Sequence, residues 1–533
     1  MKKITFLSVA VALASQLNGQ FIQMVNYAGA LSSDASQDWT KGWAEWNPKQ
    51  ASYGVVTETT TLNDASGIKN ITTTVTLDAS KVYLLTSTCV VRSGGKLIIP
   101  AGTVIRGAAD LTATPKLYAL ITVERGGMIE VTGTSTNPVV MTSNKAAGSR
   151  DRGDWGGLVL CGKAVNNQGA EVQLEGFNNV AVDNTLGKFG GTDDADNSGI
   201  LKYVRIEFAG LAFEPNKEVN SLTMGSVGSG TTIEGVQTSF GNDDAFEWFG
   251  GTVNCKNLIA YRNWDDDFDT DFGYRGHVQF ALSVRDPQIA DQSGSNGFES
   301  DNDATGSANT PKTQPKFSNV TIIGGPALSS DGSFNSLYKR AGHLRRNTEC
   351  SIFNSVLVGY PIGLLIEAAT TQSNATNGLL RIKNNMLVQM QDTLIANTSS
   401  SLNAATNNIN SGFNITNFYN SNNNGTIDNA SSLLFKNLSL NQPDLSLQGG
   451  SPLSTGADFS DSYLNNSFFT PVNFRGAFGS ENWATCWTEF DPQNEPYNSA
   501  MDNAFTAEIT ASGATTFCQG GSVDLVVTAS SNN

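Results

Sequence analysis

Phe353-Asn354-Ser355-Val356-Leu357-Val358 decides the fold, because the same phrase recurs along the chain. It returns as Lys256-Asn257-Leu258, Ser318-Asn319-Val320-Thr321-Ile322, Asn384-Asn385-Met386-Leu387-Val388 and Lys436-Asn437-Leu438-Ser439-Leu440. Each is a short β-forming run entered through an asparagine, a residue that tolerates left-handed backbone angles and bonds its own main chain. One sharp corner per turn, then an apolar strand laid on the last, is what a coiled stack of strands requires. The recurrence predicts an all-β, right-handed parallel β-helix.

Outward from the centre the same idea continues. Lys96-Leu97-Ile98-Ile99-Pro100-Ala101-Gly102-Thr103-Val104-Ile105 is strand, corner and strand, and residues 120–134 repeat it with Gly126-Gly127 at the bend. Pro138 sits at a corner, where no ladder donor is lost. The expected partition is a signal peptide at 1–20, an aromatic head at 21–55, the β-helix at 56–470 and a second aromatic segment at 471–504. Residues 505–533 look like the first strands of an Ig-like sandwich, which needs roughly 100 residues. Met1-Lys2-Lys3 and the apolar run Ile4 to Ala14 predict export, to the medium or the outer cell surface. No later segment is long and apolar enough to span a bilayer.

The two aromatic segments repeat each other. Trp39, Trp43, Trp46, Pro48 and Tyr53 stand at the same relative positions as Trp483, Trp487, Phe490, Pro492 and Tyr497. A solenoid must blunt both open ends, so paired caps is the plainer interpretation. The sharper one is a tryptophan surface for stacking sugars or docking a partner.

Composition narrows the chemistry. A net charge of −16 over 533 residues repels phosphate backbones and argues against nucleic-acid binding. Only two histidines, His277 and His343, nearly exclude a histidine-built transition-metal site. Cys89, Cys161, Cys255, Cys350, Cys486 and Cys518 lie far apart, which leaves disulfides and isolated buried thiols both open.

The acidic clusters carry the functional expectation. Asp265, Asp267, Asp269 and Asp271 alternate, so in an extended strand all four share one face. Crowded carboxylates call for a cation, and oxygen-only ligands point to calcium. Asp194-Ala195-Asp196-Asn197-Ser198-Gly199 opens like a calcium loop, although Arg205 stands where an EF-hand needs its glutamate. Asp243, Asp244 and Glu247 form a third cluster, and Glu299, Asp301 and Asp303 a fourth. The plainer account of each is a solvated loop or an Asp-capped turn.

Trp155-Gly156-Gly157-Leu158-Val159-Leu160-Cys161-Gly162, Gly241-Asn242-Asp243-Asp244-Ala245-Phe246-Glu247-Trp248-Phe249-Gly250-Gly251 and Asp265 to Asp271 resemble an uncharacterised family of secreted β-helix proteins from Bacteroidota-type bacteria. Leu201 to Gly210 and Asp291 to Asp301 belong with them. The tail from Thr515 is similar to Ig-like repeats of surface proteins exported by type IX secretion. The resemblance implies a surface location and no particular reaction.

Two function classes compete, beside a third in which the unfinished C-terminal strands complete a neighbouring subunit of an extracellular assembly. The first is a non-catalytic, calcium-stabilised protein for adhesion, display or scaffolding, with a glycan or a surface protein as partner. The second is a hydrolase or lyase of acidic polysaccharides. Asp243-Asp244 and Arg381-Ile382-Lys383 resemble the Asp pair and Arg-Ile-Lys of polygalacturonase-type enzymes, though Val219-Asn220-Ser221-Leu222 stands where a third carboxylate is expected. A lyase would use Arg275 or Arg262 as its base. The preferred reading is the first. What divides them is whether Asp243, Asp244 and Glu247 meet in a groove with basic side chains or in a closed oxygen cage.

Overall fold

A computed structural model describes residues 44–51 apart from 46, then 59–62, 69–113, 116–175, 177, 185–214, 217–329, 331–397, 412–441, 443–473, 475–477, 506–511 and 525–530. Parallel strands stack there into two long sheets, one of seventeen strands and one of eleven. Pairing is parallel from Thr59↔Val82 at one end to Met386↔Gly425 at the other. This is a parallel β-helix, as the repeated phrase predicts. It stops short of the expected boundary at 470, because Phe435–Asn437 pairs antiparallel with Asp444–Leu447 outside the stack.

The asparagines act as bends. Asn257, Asn319, Asn354 and Asn384 have φ of 58°, 56°, 54° and 60°. Tyr203, Gly235 and Phe280 occupy the same bend on other coils, at φ of 49°, 70° and 60°. Asn437 is the exception: it belongs to the antiparallel hairpin.

Strand alternation then fills the interior. Phe246, Phe268 and Phe298 point inward from neighbouring strands and stack with centroids 6.0 and 5.5 Å apart. Each such ring contributes roughly 1.5–3 kcal/mol by leaving water. The interior also holds a fully buried ion pair, Arg285 to Asp267 at 3.0 Å, with Ser283 donating to Asp267 at 2.6 Å.

Trp39, Trp43, Trp46, Trp483 and Trp487 lie outside the described residues, as do Cys486, Cys518 and the expected signal peptide at 1–20. The described parts of both aromatic segments rest on the flank of the seventeen-stranded sheet. Glu45 N donates to Gln237 Oε1 and Gln237 Nε2 donates to Glu45 O, and Ala477 N donates to Thr321 Oγ1 at 2.6 Å. Of the Ig-like tail, two antiparallel strands are described, Thr506–Ala511 and Leu525–Ser530. Cys89, Cys161, Cys255 and Cys350 are buried free thiols. Among the described residues no helix is long and apolar enough to cross a membrane.

Candidate functional site

The strands that bury Phe246, Phe268 and Phe298 inward must present their next residues outward. Register aligns Thr223, Glu247, Asp269, Glu299 and His343 as one outward ladder on the eleven-stranded sheet. Strands lie about 4.8 Å apart, so three carboxylates follow one another at that spacing. A second ladder forms where the chain turns into these strands. Asp266 N donates to Asp244 Oδ1 at 2.7 Å, and Asn296 N donates to Asp266 Oδ1. Asp243 and Asp265 precede it by one residue on their coils.

These ladders line a cleft of about 670 Å³. Within it the carboxylate oxygens fall into three overlapping groups, each with its atoms within 4.8 Å of one another: Asp243, Asp244 and Asp265; Asp244, Glu247 and Asp269; Asp266, Asp269 and Glu299. Burial, reinforced by the neighbouring carboxylates, pushes Asp244, Glu247, Asp266 and Asp269 well above the usual carboxylate range. Burial also raises Asp265 to about 7, although Ser293 donates to its Oδ2 at 2.7 Å. Its Oδ1 is buried without a partner, as is Thr223 Oγ1 on the same wall.

Two arginines close one side. Arg345 binds Glu299 and, at 2.8 Å, Asp301. Burial alone would raise Glu299, but Arg345, His343 and Arg340 together pull it well below its ordinary value. Arg340 is 2% exposed, donates from Nη1 to Asn296 Oδ1 at 3.4 Å, and has no partner at Nε. Burial lowers its proton affinity.

The expected clusters are therefore redistributed. Asp243, Asp244 and Glu247 share one site with Asp265 and Asp269. Asp267 does not share their face: it precedes the strand Phe268–Asp271 and turns inward to Arg285. Asp271 faces outward further along, raised by burial and by Asp301 and Asp303. Asp194 and Asp196 lie elsewhere, where Asp194 pairs with Arg275 at 2.5 Å and Asp196 accepts from Lys163 N at 3.1 Å. Among the described residues neither belongs to a carboxylate group able to hold a metal. Arg275 is occupied by Asp194 and Arg262 by Asp286, so neither is a base in the cleft. Arg381 and Lys383 both bind Asp461, with Ile382 buried between them. That is the plain strand alternation, remote from the cleft.

Asp266, Thr223, Arg340 and Arg345 are cleft residues that escaped the sequence. Asp266 follows Asp265 directly, and simple alternation assigns it to the opposite face. Thr223 and Arg340 stand on strands that no acidic motif marks. The cleft does hold both carboxylates and basic side chains, which is the groove arrangement and not the closed cage.

The sequence model of the pectate-lyase-like beta helix domain matches residues 69–432, more than half of the chain and all of these carboxylates. The chain belongs to this family. No curated protein and no solved structure matches it. Membership in a right-handed β-helix family agrees with the parallel coils, and sets the cleft on the matched domain and not on the aromatic segments.

Proposed function

We propose that the cleft binds calcium, and through it the carboxylates of an acidic polysaccharide, which the protein cleaves by elimination. The observation that carries this is the packing of seven carboxylates into three groups beside Arg340, whose Nε has no partner. The donors fit the ion. All are oxygens, the preference of a hard cation, and the unpartnered Asp265 Oδ1 is a ligand atom in want of one. Asp243, Asp244, Asp265, Glu247 and Asp269 would hold it. Bound there, calcium would offset the substrate's carboxylate charge and acidify the adjoining C–H.

The chain's own residues supply the rest. Arg340 would act as the base only after losing its own proton to solvent, the direction in which burial biases it; the neutral guanidine would then take the proton from the carbon next to the uronate carboxylate. The electron pair forms the new carbon–carbon double bond, the bond to the glycosidic oxygen breaks, and that oxygen takes a proton from water. Arg345 is unsuited to the role, because Glu299 and Asp301 hold its proton more firmly than usual.

The lysine-started leader supports an exported protein, and extracellular calcium sites work at about 10⁻⁴–10⁻³ M. The test is incubation with a panel of uronate polymers in calcium and in chelator, following unsaturated ends by ultraviolet absorbance. Calcium-dependent product that disappears in R340A supports elimination. Calcium-dependent binding with no product from any polymer would leave a display or adhesion module. Absence of calcium binding would remove the whole proposal.

A further inference from the structure

Among the described residues, packed side chains border the cleft on three sides. Toward the first coils, Val159 and Cys161 on the outer face are covered by a cluster that includes Leu174, Phe177 and Phe189. Toward the last coils, the outward positions His343 and Leu365 are 0% and 4% exposed. At the corner beyond Phe249, Asn167 lies across the coils, its N donating to Phe272 O at 3.0 Å and its Nδ2 to Asn302 O at 2.7 Å. The remaining corner is where the chain turns into the acidic strands, at Asp243, Asp265 and the loop Asp291 to Gly294.

That corner carries the one exposed aromatic ring among the described residues, Trp264, 36% exposed. Its backbone N donates to Gly241 O at 2.9 Å, which sets it one coil along from Asn242, a cleft-lining residue. Asp265, which follows it, lines the cleft as well, and so does the next loop, Asp291 to Gly294. The guanidinium of Arg152 packs over the indole, 5.9 Å from its centroid, with the Arg152 side chain 8% exposed.

We propose that Trp264 is a stacking platform for a sugar ring of the same acidic chain, flanking the cation site and fixing where the chain leaves it. This rests on the cleft being the glycan site. An indole offers a broad apolar face and prefers positively polarised C–H groups above it, and the apolar C–H face of a pyranose supplies them.

The experiment is calorimetric titration of calcium-loaded protein with a short uronate oligomer and with longer ones, in wild type, W264A and W264F. The expected result is about tenfold weaker binding of the longer oligomers in W264A (a tenfold change is about 1.4 kcal/mol). W264F should recover part of it. Calcium should raise the melting temperature of all three proteins equally. Unchanged affinity for every oligomer in W264A, beside a wild type that binds, overturns the platform and leaves the cation site standing. A lost calcium response in W264A also overturns it, since the ring would then be supporting Asp265. A wild type that binds calcium but no oligomer overturns both the platform and the glycan proposal.

Discussion

A cation-free cleft should make the protein less stable as the solution becomes more basic. Asp244, Glu247, Asp266 and Asp269 are held well above the usual carboxylate range by burial and by each other. Asp265 is pushed up to about 7. A carboxyl with a raised folded pKa contributes stability below its unfolded value and loses it as pH climbs through the folded one. Raising Asp265 from 3.8 to about 7 corresponds to roughly 4 kcal/mol at most. His277 works in the opposite direction, since burial lowers it to about 4, but its contribution levels off above the ordinary histidine value of 6.5. Lys256 and Lys316 also oppose it, because burial lowers both to about 8 and stability is gained as pH climbs through that value. The informative window is therefore about pH 6.5 to 7.5. If the native state keeps two protons that the unfolded chain has lost, stability falls by roughly 2.7 kcal/mol per pH unit. For a stack of this length that is about 3–4 °C in melting temperature per unit. The assay is thermal unfolding in chelator across the window, repeated with saturating calcium, which should flatten the slope by replacing the protons. A melting temperature that is constant or rises with pH in chelator would refute the reasoning.

Other consequences follow from the same geometry. D269N should abolish the calcium-induced rise in melting temperature, while D194N should keep it, because Asp194 serves Arg275. Breaking the buried pair with D267N should lower stability by about 3–5 kcal/mol in urea titrations, since Arg285 has 0% exposure and no water to replace its partner. The paired replacement D267L with R285M should cost less than D267N alone. Cys89, Cys161, Cys255 and Cys350 are buried, with Cys89, Cys255 and Cys350 pushed up to about 12. A thiol reagent should therefore leave these four unlabelled in the native protein and label them only after unfolding.

The β-helix was legible because its signal is local and repeated. An asparagine bend and an alternating strand need no knowledge of what lies across the coil, and Asn257, Asn319, Asn354 and Asn384 all take the expected left-handed angle. The same reasoning misplaced Asn437, where the local phrase is intact but the partner strand is antiparallel. It also missed Tyr203 and Phe280, whose side chains give no hint of a left-handed bend. The site was legible as acidic clusters and illegible as one cleft. Asp243, Asp265 and Glu299 are separated along the chain, and only the inter-coil register brings them together. Asp267 went astray because alternation was extended one residue before the strand begins, where the corner turns its side chain to Arg285. Arg340 had no sequence signal at all, since an isolated arginine on a strand is ordinary until its neighbour across the sheet is Asn296.

Whether the cleft takes up calcium is best decided by titrating the ion into chelator-stripped protein near neutral pH, in two buffers of different ionisation enthalpy. Saturable binding that releases protons, and that disappears in a D244N/D269N variant, is the predicted outcome. No heat in the wild type, or the same isotherm in the variant, would contradict it.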